Sequence, residues 1–345
     1  WVAEASWPSR WIALRHWTLA ADGLIDGGAP AARLNLASPQ TVGMAAGEWS
    51  GFGVPGEMPT DQRIDDGGSL VLDSATLAVP IEILGAPIVE LEVEVDRPCA
   101  LVCARLGDVA PDGAVARVSY GLLNLTHRDG HAEPQRLVPG ERYRVAIVMN
   151  DIAHAFAAGH RVRLALSTSY WPLAWPSPRP VIAVIHAGAS RLGLPVRPAR
   201  AEDADLAPLP PPESAPPMPA TRVRDGQFSR EVTLDLQTGE CRHVVRGEGG
   251  LFGEGVLRLD DIGTTLDHSL TREMRIRPDD PLSARVAIDQ RYAMGRADWP
   301  IVIETRTAMS ATADVFELTG ELDAYEGSVR VFSTNWRRTI RRDLV

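Results

Sequence analysis

The stretch Asp151–Pro176, DIAHAFAAGHRVRLALSTSYWPLAWP, decides how the chain is read. Ala158-Gly159 is a turn pair, and the run after it places Val162, Leu164 and Leu166 on one side and Arg161, Arg163 and Ala165 on the other. A period of two is that of a strand with one apolar face. The run then breaks at Trp171-Pro172 and Trp175-Pro176. Proline has no amide hydrogen for a ladder, so the strand ends there in a rigid corner walled by Tyr170, Trp171 and Trp175. Such a corner either closes one end of a sandwich or faces a partner. As the end of a central strand, its rings are most simply packing residues.

Upstream, from Ser69, short β-like runs alternate with turn residues: SLVLDS, PIEILG, IVELEVEV and CALVCARLGDV. In Ile88–Val95 the alternation is clean, with Val89, Leu91, Val93 and Val95 on one side and Glu90, Glu92 and Glu94 on the wet side. Asp108–Gly113 has turn composition, VARVSYGLLNLTHR resumes the pattern, and RYRVAIVM and PVIAVIHAG flank the opening stretch. With no convincing long helix and about eight short strands, an all-β jelly-roll sandwich over residues 61–194 is the expected fold. Residues 1–60 carry Trp1, Trp7, Trp11 and Trp17 without a sustained period and read as an extended arm and loop. Rings that large are costly to leave wet, so the arm lies against the following domain or against one upstream.

Residues 195–222, PVRPARAEDADLAPLPPPESAPPMPATR, form a proline-rich linker of semi-rigid, extended character. Beyond it, residues 223–345 again read as strands with short connections, from REVTLDL to VRVFSTNWRRTI. This predicts a second antiparallel β domain, a meander closed as a barrel or folded as a sandwich. Many of its strands alternate Thr, Arg and Glu on one side, which is either solvated or lines a polar cavity.

The formal charge of -10 and pI near 5.3 exclude the concentrated positive field that nucleic acid requires. All 35 basic residues are arginine. Cys99 and Cys103, four positions apart on a strand, would lie about 13 Å from each other, beyond disulfide reach. Reduced thiols, no membrane-length apolar run and no leader predict a cytoplasmic location. The first residue, Trp1, suggests that further sequence lies upstream.

Self-contained chemistry is hard to find. No Gly-x-Ser-x-Gly presents a nucleophile, and Gly188-Ala189-Ser190 lacks the second glycine and a following helix. His127 and His131 straddle a turn without a third ligand, so no metal is expected; no phosphate cradle opens a helix, so no cofactor is expected. Asp65-Asp66-Gly67-Gly68 reads as a turn before a strand, and Asp108, Asp112 and Asp129 as turn carboxylates accepting backbone hydrogen bonds.

An ordered series of motifs is more informative. Asp61-Gln62-Arg63, LGAP at 84–87, ARLGDVAPDG at 104–113, YGLLNLTHR, and Gly159-His160-Arg161-Val162-Arg163-Leu164 followed by Ser-Thr-Ser occur in this order. Together they resemble the C-terminal non-catalytic domain of X-Pro dipeptidyl-peptidase and cocaine-esterase-like (CocE/NonD-type) serine hydrolases. The resemblance covers roughly residues 61–187. It implies a jelly roll packed on an upstream α/β-hydrolase domain that holds the Ser-His-Asp triad, with no catalytic residue in this chain. Asp61, Gln62, Arg63, Asp108, Gly159, His160 and Arg161 are then structural motif residues, His160 opening a strand with its nitrogens bonded to nearby backbone. Because the jelly roll of such enzymes helps wall the substrate entrance, Trp49 and Phe52 in the loop GEWSGFGVPGEMPT are the candidate pocket residues. A carbohydrate-binding module, motivated by Trp171 and Trp175, and an oligomerisation scaffold, motivated by edge strands and the tryptophan-rich arm, are the competing readings.

Overall fold

A computed structural model describes all residues, 1–345. The chain divides into two compact units, one comprising Trp1–Gly51, Glu57–Pro211 and Leu344–Val345, the other Phe52–Gly56 and Pro212–Asp343. Both are built almost wholly of antiparallel strands.

The first unit contains β1 (Ala13–Ala20), β2 (Gly23–Ile25), β3 (Ala32–Leu36), α1 (Arg63–Asp66), β4 (Leu70–Asp73), β5 (Ile81–Gly85), β6 (Ile88–Val95), β7 (Leu101–Val109), β8 (Val115–Asn124), β9 (Arg142–Val148), β10 (Ile152–Phe156), β11 (Arg161–Ser167), β12 (Ala183–Ala187) and β13 (Arg191–Val196). A nine-stranded sheet runs β10-β5-β13-β6-β12-β3, with β1 and β2 attached at β13 and β9 at β6. A four-stranded sheet runs β4-β11-β7-β8. Strand β11 is therefore central, with Leu164 opposite Leu72 on one side and Leu106 on the other.

The two sheets face each other as a sandwich. Val89, Leu91, Val93 and Val95 from β6 meet Leu72, Leu106, Val162 and Leu164 in one buried core. The outer face of β6 is wet but not idle: Glu90 pairs with Arg191, Glu92 with Arg142 and Arg144, and Glu94 with Arg33 and His186. Hydrogen bonding from Arg144 holds the Glu92 carboxyl below the usual carboxylate range.

The segment expected as an extended arm differs from that reading, since β1, β2 and β3 are built into the larger sheet, β1 against β13 and β3 against β12. Trp17 and Leu19 point inward and are buried, while Trp1, Trp7 and Trp11 are exposed. The expected linker is also shorter: β13 reaches Val196, Arg197 is buried between Glu4 and Asp203, and the exposed stretch without regular structure is residues 206–219.

The second unit contains β14 (Ala220–Arg224), β15 (Gln227–Leu234), β16 (Cys241–Glu248), β17 (Val256–Leu259), β18 (Thr264–Arg277), β19 (Asp280–Arg296), β20 (Trp299–Ala311), β21 (Val315–Glu326) and β22 (Val329–Arg341). They form one sheet, β14-β17-β18-β19-β20-β21-β22, with the β15–β16 hairpin joined at β18. The meander is present, but β22 pairs only with β21, so the sheet stays open at that edge.

Register divides this sheet into two faces. Met274, Val286, Met309 and Leu318 share one side, and Glu273, Ala287, Ala308 and Thr319 share the other. The polar side lines a cavity of about 360 Å³ bordered by Arg246, Thr271, Asp289, Arg291, Glu304 and Arg306.

Candidate functional site

Asp61, Gln62 and Arg63 begin a short helical turn that holds the loop carrying Trp49. Gln62 is buried, and its Nε2 donates to the carbonyls of Ala45 at 2.9 Å and Thr60 at 2.7 Å. Its backbone amide donates to Val115. Asp61 accepts from the backbone and side chain of Arg63 at 3.0 and 2.9 Å, which fixes the entry to α1.

The two acidic residues that follow are structural, not a simple turn. Asp65 is buried and accepts from the amides of Gly43 and Ala45 at 2.9 and 3.1 Å. Burial lifts its carboxyl above the ordinary range, against these amide donors. Asp66 sits 3.0 Å from the buried Arg105 and 2.9 Å from Arg163. Arg105 also donates to Gln62 Oε1 at 3.1 Å and Ser69 Oγ at 2.8 Å, and Arg163 reaches Asp73 at 2.7 Å. A buried polar network of this kind is favourable only when each member has its partner.

The loop so held lies on the outer face of the four-stranded sheet, where Val42 and Ala46 pack on Cys103, Tyr120 and Tyr170. Gly43 takes a φ of 120°, and a Cβ there would overlap the Trp171 carbonyl, so only glycine admits this approach. The backbone amide of Trp171 donates to Val42 at 2.8 Å. Tyr170 and Trp171 are buried, and Trp175 meets Trp171 edge-on at 5.4 Å, so the aromatic corner is packed against the loop.

At the exposed end of this assembly Trp49 is 66% exposed and rests edge-on against Tyr120, with ring centroids 6.3 Å apart. Arg117 lies 4.4 Å over the Tyr120 ring and donates to Tyr170 Oη and the Ala46 carbonyl, each at 2.7 Å. Burial pushes both tyrosine hydroxyls upward, so they remain donors at neutral pH. Phe52 is 79% exposed and belongs to the second unit, 5.2 Å from Phe252.

Asp108, His160 and their neighbours form a separate constellation. Asp108 bridges two imidazoles, with Oδ2 2.9 Å from His154 Nε2 and Oδ1 2.7 Å from His160 Nδ1. His160 therefore bonds a side-chain carboxylate where the sequence suggested backbone, and Asp108 is a strand residue of β7 and not a turn carboxylate. Gly159 has a φ of 85° and donates its amide to Leu77 at 2.8 Å, making the turn that starts β11. Arg161 lies 3.6 Å from Asp73.

The sequence suggested only a turn for Asp65 and Asp66, and it assigned no role to Arg105, Arg117 or His154. A signal for Arg105 existed: an arginine in the middle of the apolar run CALVCARLGDV has to be paired if that strand is buried. His127 and His131 stand on an exposed turn with Nδ1 atoms 2.9 Å apart, and no group of three metal-ligating side chains occurs. No helix is long and apolar enough to cross a membrane.

The sandwich and the motif-bound loop on its four-stranded sheet define an all-β domain. Residues 1–201 match the family described as X-Pro dipeptidyl-peptidase C-terminal non-catalytic domain, and the chain belongs to that family. It is similar to cocaine esterase of Rhodococcus sp. (strain MB1 Bresler), 31% identical over 116 residues, covering 33% of this chain and 20% of the relative. A putative serine esterase of Mycobacterium tuberculosis (strain CDC 1551 / Oshkosh) is 30% identical over 158 residues, covering 39% of this chain and 25% of the relative. The chain thus spans a quarter or less of these relatives' length. Among solved structures, an aminopeptidase from the marine sediment archaeon Thaumarchaeota archaeon superposes with a TM-score of 0.49 at 18% identity, covering 57% of this chain and 38% of that chain.

Proposed function

We propose that this chain is the C-terminal region of a serine acyl hydrolase whose Ser-His-Asp triad lies in an upstream α/β-hydrolase domain. In this reading the chain contributes a wall of the substrate entrance. The observation that carries it is the Trp49 patch. A buried framework of Gln62, Asp65 and Arg105 is spent on fixing a loop whose tip offers an exposed indole beside Tyr120 and the Arg117 guanidinium. An apolar ring with a cation behind it suits an acyl or aromatic substrate group next to a carbonyl.

The test uses the intact hydrolase. Trp49→Ala is expected to change kcat/KM by about tenfold for bulky acyl groups and by less than about twofold for acetyl, the loss of one aromatic contact. Equal kinetics across the acyl series would remove the entrance role. The chain without an upstream domain is expected to leave p-nitrophenyl esters uncleaved and to resist labelling by a serine-directed phosphonate. Stoichiometric labelling would overturn the accessory assignment itself.

A further inference from the structure

Every one of the 13 residues of β22 is exposed, and the strand pairs with β21 alone. Its free edge presents unpaired amides and carbonyls, which is a template for another strand. No proline or acidic residue interrupts it. Phe332, Trp336 and Ile340 lie on the same side as Leu318 and Leu322 of β21, the apolar side of the sheet. The bulkiest side chain does not obstruct approach, since the Trp336 indole folds back over Gly320 in the space a Cβ there would fill.

We propose that β22 pairs with β22 of a second copy of this chain, forming a two-fold antiparallel dimer in which two sheets become one. Geometry selects the register. The two-fold axis of antiparallel strands in one sheet stands normal to the sheet, so opposed residues share a side and even-numbered positions meet even-numbered ones. The register shift between Ala324 and Tyr325 takes Arg330 out of this alternation and confines regular pairing to residues 332–341.

Within that run, an axis at Arg337 or Arg338 sets a guanidinium against itself. An axis at Asn335 shortens the seam and puts Phe332 opposite an arginine. An axis at Trp336 uses residues 332–340, places Phe332 opposite Ile340 of the second copy at both ends, and sets Arg337 and Arg338 against Asn335 and Thr334. No arginine then opposes another, and Arg337 keeps its own partner Glu317 at 3.2 Å. This match of apolar to apolar and of cation to neutral amide or hydroxyl argues for a second copy over an unrelated strand.

Sedimentation velocity on the full chain is expected to show a reversible monomer–dimer equilibrium between about 1 and about 100 micromolar, and Ile340→Asp or Phe332→Asp should raise the dimer Kd about tenfold or more. Ser333 and Thr339 oppose each other across the seam. The double variant Ser333→Cys/Thr339→Cys should therefore form a disulfide-linked dimer on mild oxidation, and Ser333→Cys/Asn335→Cys should not. Native Cys99, Cys103 and Cys241 are buried and stay out of this reaction. A strict monomer over the whole range, a dimer unchanged by Ile340→Asp, or equal cross-linking by both cysteine pairs would overturn the proposal. Unchanged circular dichroism and Tm in each variant separate loss of pairing from loss of fold.

Discussion

At the scale of single residues, the sharpest consequences come from charges placed where water is excluded. Arg105 is buried with Asp66 as its ionic partner and Gln62 and Ser69 as neutral ones. Asp66→Ala leaves that guanidinium uncompensated, so a loss of about 3–5 kcal/mol is expected in denaturant titration. His243 is the opposite case, a buried imidazole held neutral: burial first, then Arg230 and Arg272, depress it from 6.5 to about 4. Above pH 6.5 neither the folded nor the unfolded chain protonates it, and full stability is present. As the pH falls toward 4, the unfolded chain takes up a proton that the folded chain refuses, and stability drops by up to about 3 kcal/mol. Urea midpoints measured down that range should fall, and His243→Met should flatten the dependence.

At the scale of elements, β6 and β7 show what a sequence can disclose. The alternation of Ile88–Val95 reports one buried and one wet face, and that is how β6 sits. Leu101–Val109 has almost no alternation because both faces are covered, one by the sandwich core and one by the loop bearing Val42 and Ala46. The pattern shows that such a strand is buried without showing what covers it. The same limit hid β1, where four tryptophans close together masked an eight-residue strand whose Trp17 and Leu19 face inward. The Trp49 loop was legible as a candidate from its glycines and aromatic rings. Its clasp was not, since Asp65 and Asp66 look like turn residues until the amides of Gly43 and Ala45 fold onto them. Gly43→Ala tests that clasp: the added methyl collides with the Trp171 carbonyl, and a loss above about 2 kcal/mol is expected by calorimetry.

At the scale of the whole molecule, the two units differ in how they hold together. The first encloses a core between two sheets, whereas the second is one sheet with a polar, cavity-lined side and an apolar side that includes the exposed Phe332, Trp336 and Ile340. Between β13 and β14, residues 206–219 are exposed throughout and lack regular structure. A glutamate-specific protease under native conditions is expected to cut after Glu213 before any other site, giving two fragments by mass spectrometry. First cleavage among the strands of either unit, residues 13–196 or 220–341, would contradict this division.

The burial of the three thiols has a use of its own. Cys99 and Cys103 lie in the first unit and Cys241 in the second, and desolvation pushes the Cys103 thiol up to about 12. Because the thiolate is the reactive form, alkylation requires that the surrounding structure open first. Each thiol is thus a built-in clock, and the rate at which it is consumed by a mild alkylating agent reads the opening free energy of its own unit without any label.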